Sequence, residues 1–416
     1  MRLLIVSGAF PPMASGEATN TYFLGRNLTE KGVDVHVLTS AEASAGDGGS
    51  VAVYPFMRSW SWREVPTIVS VLRRVKPDAV LLIYLGGIYN YHPMITFLPT
   101  ICRICVPGTR FVTRFENVFG ASEPSSTSLS ARVIRKLAQI LAGPRTTHYN
   151  FGTLLRDSAH LIALCDYHMT RLREYAGEAD PVVSVIPPPP NIAVRRDPTG
   201  ALRSLGRARM GARPEDFVVG YMGYVYPRKG VDTLLKAFRL LRESQPGARL
   251  LVLGGNVEVP SLDSSSEGYF ERMQLLAEQL GIGASVSWAG AFNALDPDVA
   301  SYIHAPDVFV LPFDRGVRLN NSSYSSLVSY GVPVIATRGP DVDKELLESE
   351  GILLLPPENP DELARALAAV HVDHDLRRRL RQCSEQMART YFSWDTALTR
   401  TLSVLGLPVG QSASGS

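Results

Sequence analysis

This sequence predicts an α/β protein built from two successive parallel-sheet domains. Three observations predict it. Short apolar runs recur as doubly buried parallel strands do, with segments of helical period between them. The first forty residues close a strand–helix–strand unit, the building block of a parallel sheet. The alternation then starts afresh after the proline run Pro187-Pro188-Pro189-Pro190. At 416 residues the chain has room for two domains of about 100–200 residues, or three. Hydrophobic residues make up 45% and charged residues 20%. That is ordinary globular usage, which excludes a disordered, collagenous or coiled-coil chain.

Taken in order, Leu3–Val6 reads as the first strand and Gly8 to Gly16 as a Gly/Pro/Ser loop. Thr19 to Lys31 reads as a helix stopped by Gly32, and Val33–Leu38 alternates into a second strand. Further strands are expected at Ala79–Tyr84, Arg110–Arg114 and Leu161–Leu164, with a helix over Val65–Val75. Ser122–Ser130 is Ser-rich and reads as a loop. The proline run is a stiff extended connector. The hinge is placed just after it, giving a Rossmann-like domain over 1–194 and a second over 195–389.

In the second half, strands are expected at Phe217–Met222, Arg249–Leu253, Val286–Trp288, Val308–Leu311 and Val334–Thr337. Helices are expected at Val231–Glu243, Tyr269–Leu280, Ser322–Tyr330, Asp361–Val370 and His374–Tyr391. Two such blocks suggest domains facing across a cleft, with ligands at the carboxyl ends of the strands.

Charge and cysteine content narrow the function classes. Lys+Arg number 42 against 40 Asp+Glu, a net charge of +2, which speaks against nucleic-acid binding. Residues 1–195 carry 19 basic and 14 acidic side chains, so the first half is mildly basic and points to an anionic partner there. The four cysteines are too few and scattered for a disulfide framework. Cys102-x-x-Cys105 has redox spacing but is followed by Pro107-Gly108 rather than opening a helix, so buried thiols are expected. The N-terminal apolar run is too short for a secretory signal, and no uncharged stretch reaches the length of a membrane span. A cytoplasmic location is therefore expected. Arg132 to Leu141 is amphipathic with basic ends. A packed helix with a solvated face is the preferred reading, and peripheral membrane contact the other. The histidines lack metal-ligand spacing, so no metal is expected, and 411–416 reads as a disordered tail.

Three loops carry chemistry. Pro11-Pro12-Met13-Ala14-Ser15-Gly16-Glu17 joins the first strand to the first helix, where amides at a helix start can hold an anion. It is equally a tight turn that needs small residues. Gly223-Tyr224-Val225-Tyr226-Pro227-Arg228-Lys229-Gly230 places two cations at a helix start, against the local dipole. A diphosphate lying there would explain them, whereas a solvated basic turn would leave them idle. Asp314 to Ser323 leads into a third helix, for which Ser322 and Ser323 read as N-caps, with exposed amides beyond them suited to phosphate.

Gly223–Gly230 followed by Val231-Asp232-Thr233-Leu234-Leu235-Lys236-Ala237-Phe238 resembles the signature of GT-B retaining glycosyltransferases of the family 4, group 1 type. Pro11-Pro12 with Gly16, Leu161 to Tyr167, Val185-Ile186-Pro187, Ala305 to Pro312, Gly331 to Ala336 and Phe392-Ser393-Trp394 are similar to further motifs of that family in the same order. The resemblance implies a GT-B fold whose last helix, about 390–408, crosses back to the first domain. It implies a metal-independent hexosyl transfer with retention of configuration. A nucleoside-diphosphate sugar would be co-substrate rather than cofactor, and the acceptor a small molecule, glycan or lipid-linked group. Donor contacts are implied for Ser15, Gly16, Gly223, Arg228, Lys229, Gly254, Phe292, Asn321, Ser322, Ser323 and Ser326, and acceptor contacts for Glu17, Arg114 and Glu116.

The departures from the family pattern are specific. Where the family keeps two glutamates before its G-x-P-V segment, this chain has Arg318 and Ser326. Where it keeps a histidine after the V-T strand, Phe115 stands, with Glu116 beside it. Glu116, Arg228, Lys229 and Arg318 are therefore the expected catalytic set. Charge neutralisation on the departing diphosphate is the main requirement of such a transfer. Rival readings are a nucleotide-sugar epimerase or phosphorylase, and a catalytically silent GT-B partner subunit.

Overall fold

The computed structural model describes residues 1–13, 15–44, 51–118, 148–256, 268–349 and 352–407, with isolated positions between 133 and 141. The serine-rich stretch 122–130, the tail 411–416, and Arg132 and Arg135 of the basic amphipathic segment lie outside the described residues. The chain divides into two compact units, Met1–Pro187 with Trp394–Ser416, and Pro188–Ser393.

The strands of the first unit are β1 (Arg2–Ser7), β2 (Asp34–Ser40), β3 (Ala52–Met57), β4 (Ala79–Tyr84), β5 (Arg110–Phe115), β6 (His160–Ala163) and β7 (Val183–Val185). They form one parallel sheet in the order β3-β2-β1-β4-β5-β6-β7. Its helices are α1 (Gly16–Glu30), α2 (Val65–Val75), α3 (Leu98–Cys105), α4 (Leu154–Asp157) and α5 (Asp166–Ala176). Strand alternation sends Leu4, Val6, Phe111 and Phe115 to the face covered by α2 and α3. Leu3, Ile5, Leu81, Ile83 and Val112 go to the face covered by Leu24 and Leu28 of α1. The chain's last helix also covers that second face.

The second unit begins with α6 (Ala201–Arg209) and runs through β8 (Val218–Met222), α7 (Val231–Ser244), β9 (Arg249–Leu253), α8 (Tyr269–Gln279), β10 (Val286–Gly290), α9 (Val299–His304) and β11 (Val308–Leu311). It continues with α10 (Ser322–Tyr330), β12 (Val334–Thr337), α11 (Lys344–Glu348), β13 (Leu353–Leu355), α12 (Pro360–Val372) and α13 (His374–Tyr391). The sheet order is β10-β9-β8-β11-β12-β13, all parallel. Below the sheet, buried Arg207 of α6 donates to the carbonyls of Ala305, Arg213, Pro214 and Asp216 and pairs with Asp307 at 2.9 Å. This closes backbone acceptors that no secondary structure reaches.

α14 (Trp394–Leu405) returns to the first unit. Ala397, Leu398 and Leu402 join the α1-side core. Arg110 donates to the Val404 carbonyl at 2.8 Å, and Lys31 pairs with Asp395 at 2.8 Å.

Three expectations change. The unit boundary falls at 187/188 rather than 194/195. The reason is that the residues just after the prolines are already tied into the second unit: Ser326 donates to Asn191 and Tyr330 to the Ala193 carbonyl. α1 starts at Gly16, three residues before Thr19, because Ser15 in extended conformation caps it and accepts from Ala18 N–H at 3.1 Å. Asn321, not Ser322 or Ser323, caps α10, accepting from Tyr324 N–H at 2.8 Å. Ser322 and Ser323 are the first two helical residues instead. Cys102 and Cys105 close α3, all four thiols are unbridged, and burial pushes the Cys102 thiol up, so it is no redox motif. Among the described residues, no helix is long and apolar enough to cross a membrane.

Candidate functional site

In open parallel sheets, ligands gather at the carboxyl ends of the strands where the strand order reverses. In the second unit that point lies between β8 and β11. The loops leaving these strands are 223–230 and 312–321, the two segments in which the sequence concentrates its cations and small residues.

These loops are held in close backbone contact by glycine. Gly230 has φ +65°, and a Cβ there would lie 1.8 Å from the Pro312 carbonyl oxygen. Gly254, at the end of β9, has φ +152°, and its Cβ would meet the Gly223 carbonyl oxygen at 1.9 Å. Neither position admits a side chain. Ser323 Oγ lies 3.1 Å from where a Cβ on Gly223 would stand. Gly223, Gly254 and the start of α10 therefore converge. Phe292 is half-buried two residues past Gly290, which bridges to Gly254.

Arg228 holds a left-handed backbone at φ +73°, a conformation that costs a non-glycine residue about 1 kcal/mol or more. Its carbonyl accepts from Asp314 N–H at 3.2 Å, which ties the two loops together. The Lys229 ammonium lies 4.2 Å from the ring centre of Phe313 and 5.1 Å from that of Tyr226. Such a contact is worth about 0.5–2 kcal/mol and holds the cation in the mouth of the switch point. With Tyr324 N–H taken by the Asn321 cap, helix geometry leaves the Ser322 and Ser323 amides directed outward at the start of α10. A strained arginine, an aromatic-held lysine and a helix N-terminus thus line one end of the sheet, an arrangement suited to a diphosphate.

Arg318 and Ser326 have other partners. Arg318 Nη2 pairs with Asp341 at 2.8 Å, a carboxylate it shares with Arg315 at 3.2 Å. Ser326 is fully buried and spends its hydroxyl on Asn191 Oδ1 at 3.2 Å. Beside the cationic loop a hollow of about 280 Å³ is lined by Asp232, Thr233, Lys236, Asp314, Glu358 and Pro360. Burial, together with the charges of Glu358 and Asp232, pushes the Asp314 carboxyl up, and nearby Arg228 opposes this. With three carboxylates, the hollow is unsuited to an anion.

In the first unit the strand order reverses between β1 and β4. Alternation along β5 turns Phe115 into the core, against Tyr84 and Phe151. It turns Arg114 and Glu116 to the α1 side. Phe115 is therefore a core residue. Arg114 Nε and Glu116 Oε1 lie 2.8 Å apart, both side chains largely buried. Glu17, in the first turn of α1, feels the charge of Glu116: burial pushes its carboxyl up and Glu116 adds to the rise, opposed by Ser15. Ser15 and Gly16 begin the same helix. Ser15, Gly16, Glu17, Arg114 and Glu116 therefore stand at the carboxyl edge of the first sheet.

Sequence reasoning missed Phe313, Tyr226 and Asp341. Phe313 directly follows Pro312, the last residue of the Ala305–Pro312 segment.

Residues 205–387 match the family described as glycosyl transferases group 1. The D-inositol 3-phosphate glycosyltransferase of Streptomyces bingchenggensis is 27% identical over 248 residues, 59% of this chain and 52% of that protein. The GDP-mannose-dependent alpha-(1-6)-phosphatidylinositol monomannoside mannosyltransferase of Mycobacterium tuberculosis is 27% identical over 235 residues, 55% of this chain and 57% of that protein. The chain spans about half the length of these curated relatives. Among solved structures, HepE of Anabaena in complex with UDP superposes with a TM-score of 0.69 at 16% identity, covering 98% of this chain and 100% of that one. Sucrose-phosphate synthase of Thermosynechococcus elongatus gives 0.67 at 16% identity, covering 97% and 98%. The two parallel-sheet units have the GT-B fold, and residues 205–387 of the second match the glycosyl transferases group 1 model.

Proposed function

We propose that this protein is a glycosyltransferase that moves a sugar from a nucleoside-diphosphate sugar to an acceptor hydroxyl, with retention of configuration and without a metal ion. The observation that carries the reading is the switch point of the second unit, where Arg228, Lys229 and the amides of Ser322 and Ser323 gather around glycine-walled backbone. The relatives named for GDP-mannose and D-inositol 3-phosphate, and the neighbour bound to UDP, support a nucleotide-sugar donor. In the reaction, the bond between the anomeric carbon and the diphosphate oxygen breaks and the acceptor oxygen bonds to the same face. The acceptor proton passes to the departing phosphate. Lys229, Arg228 and the helix amides stabilise the charge that develops there. These groups replace the divalent cation that other transferases use. Arg318, half-neutralised by Asp341, flanks the transferred sugar, and the first unit presents the acceptor at Glu17, Arg114 and Glu116.

The test is a thermal-shift screen with UDP, GDP, ADP and dTDP, followed by hydrolysis and transfer assays with the nucleotide sugars of the base that binds. A ligand at a hundred times its dissociation constant stabilises by about 2.7 kcal/mol. Binding with no turnover of any sugar would favour the second reading, a catalytically silent partner subunit. The observation behind that reading is that Arg318 and Ser326 occupy the two positions where the family pattern has glutamates.

A further inference from the structure

The two loops at the switch point of the second unit are joined through their backbones, so the charges they carry cannot drift apart. Asp314 N–H donates to the Arg228 carbonyl at 3.2 Å, and Gly230 lies too close to the Pro312 carbonyl to admit a Cβ. Arg228 is exposed and Asp314 half-buried. Beside this joint Asp232, Asp314 and Glu358 bring three carboxylates to the hollow of about 280 Å³. Asp232 is accounted for locally: it sits in the first turn of α7 and pairs with Lys236 at 3.0 Å. Glu358 is exposed, one residue before Asn359, the cap of α12. Asp314 starts no helix. The charges that act on its carboxyl come from three other segments: Glu358 before α12, Asp232 of α7 and Arg228 of the cationic loop. Tyr269 of α8, next to Arg272, feels the same two aspartates. Lys229 rests on Phe313, the neighbour of Asp314. Burial, then Glu358 and Asp232, push the Asp314 carboxyl up, so it is the member of the cluster readiest to take a proton.

We propose that Asp314 is a positioning residue for Arg228 that couples donor binding to proton uptake: ionised, its carboxylate draws the guanidinium toward the hollow, and protonated, it leaves Arg228 to the diphosphate. The inference rests on the reading that this switch point holds the donor diphosphate, and it adds regulation to that site. A diphosphate on Arg228 and Lys229 brings further negative charge to a loop whose position relative to Asp314 the backbone fixes. That charge favours the protonated carboxyl, so the acid is weaker in the bound state than in the free one. Donor affinity is therefore highest at low pH, and it falls as pH rises from the free-state value to the bound-state value. By reciprocity, binding takes up a fraction of a proton within that window. Water reaches both Arg228 and Asp314, and exposed charge pairs couple weakly, so the effect is about two- to fivefold in affinity.

The test uses the full chain with UDP-glucose, GDP-mannose, ADP-glucose and dTDP-glucose. Their diphosphates are esterified at both ends, so their charge stays constant from about pH 5.5 to 7.5 and any titration seen is the protein's. Calorimetry in two buffers of different ionisation enthalpy reads affinity and proton uptake together. The expected result is that at least one nucleotide sugar binds, about two- to fivefold more tightly at the acid end, with uptake of part of a proton. Asp314→Asn keeps the backbone joint and removes the titrating group. At the neutral end it should bind about two- to fivefold more tightly than the parent, with the uptake lost and the melting temperature showing that it folds. Glu358→Gln, on a separate segment, removes one neighbouring charge, so it should keep the uptake and move its window to lower pH. Binding without proton uptake, uptake unchanged in folded Asp314→Asn, or a window unmoved in Glu358→Gln would overturn the proposal and leave the donor site standing. No binding of any of the four at any pH would overturn the donor reading and the proposal with it.

Discussion

The two switch points of this molecule are built from different materials. In the second unit the backbone makes the site: Gly230 and Gly254 let main chains approach where no side chain fits, and the polar groups offered are amides and a pair of cations. In the first unit side chains make it, with an arginine and two glutamates brought to the carboxyl edge of the sheet. A backbone site tolerates little change, because glycine has no substitute at positive φ. A side-chain site can be rewritten residue by residue on an unchanged frame. The chain keeps the family pattern's glycine and lysine loop in the second unit, and departs from that pattern at side-chain positions in both units, at Arg318 and Ser326 and at the end of β5.

The largest expected effect tests the backbone side of this contrast. Gly254→Ala places a methyl 1.9 Å from the Gly223 carbonyl oxygen. It should destabilise the protein by about 3–5 kcal/mol, in the range of severe core disruptions, as measured by denaturant unfolding. A loss under 1 kcal/mol would mean that the loop is looser than its geometry. Lys229→Ala should leave stability nearly unchanged and weaken nucleoside-diphosphate binding by about 1.5–3 kcal/mol, the worth of a hydrogen bond to a charged group. Unchanged affinity in calorimetry would remove Lys229 from the site. Phe313→Leu keeps an apolar, smaller side chain but removes the ring beneath the ammonium, and should weaken the same binding by about 0.5–1 kcal/mol. An effect equal to that of Lys229→Ala would show that the lysine binds only when the ring holds it.

The smallest effect sharpens the side-chain half. The Glu17 carboxyl is raised in the folded state by burial and then by Glu116. A raised acid favours the fold while protonated, so its contribution is present at low pH and is lost as pH rises through the folded value. Glu17→Gln removes that loss. The variant should match the parent in acid and exceed it at neutral pH by less than about 1 kcal/mol. A variant less stable at neutral pH would mean that the ionised Glu17 is held by partners stronger than its burial.

Most of the frame was legible in the sequence because parallel strands buried on both faces announce themselves as apolar runs. Ala79–Tyr84, Arg249–Leu253, Val308–Leu311 and Val334–Thr337 were readable to the residue. β3 was not, since an edge strand of sequence AVYPFM carries a proline and little alternation. β13 was too short at three residues. The cationic loop was legible because lysine and arginine at a helix start run against the dipole. The true cap of α10 was not, because Asn321, Ser322 and Ser323 are all good caps and only backbone geometry chooses among them. At β5 the sequence located Glu116 but could not tell which neighbour faces inward; strand alternation assigns Phe115 to the core. The partners of Arg318 and Ser326, Asp341 and Asn191, are distant in sequence and carried no local signal.

The return of α14 to the first unit has a consequence for how the chain is made. The second unit is one continuous stretch, Pro188–Ser393, whereas the first is interrupted by it. During synthesis the first sheet is complete about 200 residues before its last helix exists, a wait of about 10–40 s at ordinary ribosomal speed. Through that interval the apolar face that later receives Ala397, Leu398 and Leu402 stays uncovered. The second unit is free to fold as soon as it emerges, whereas the first is sealed only when α14 arrives. Substitutions in α14 should therefore show their cost in the yield of folded protein and its demand for chaperones well before they show it in the chemistry of either site.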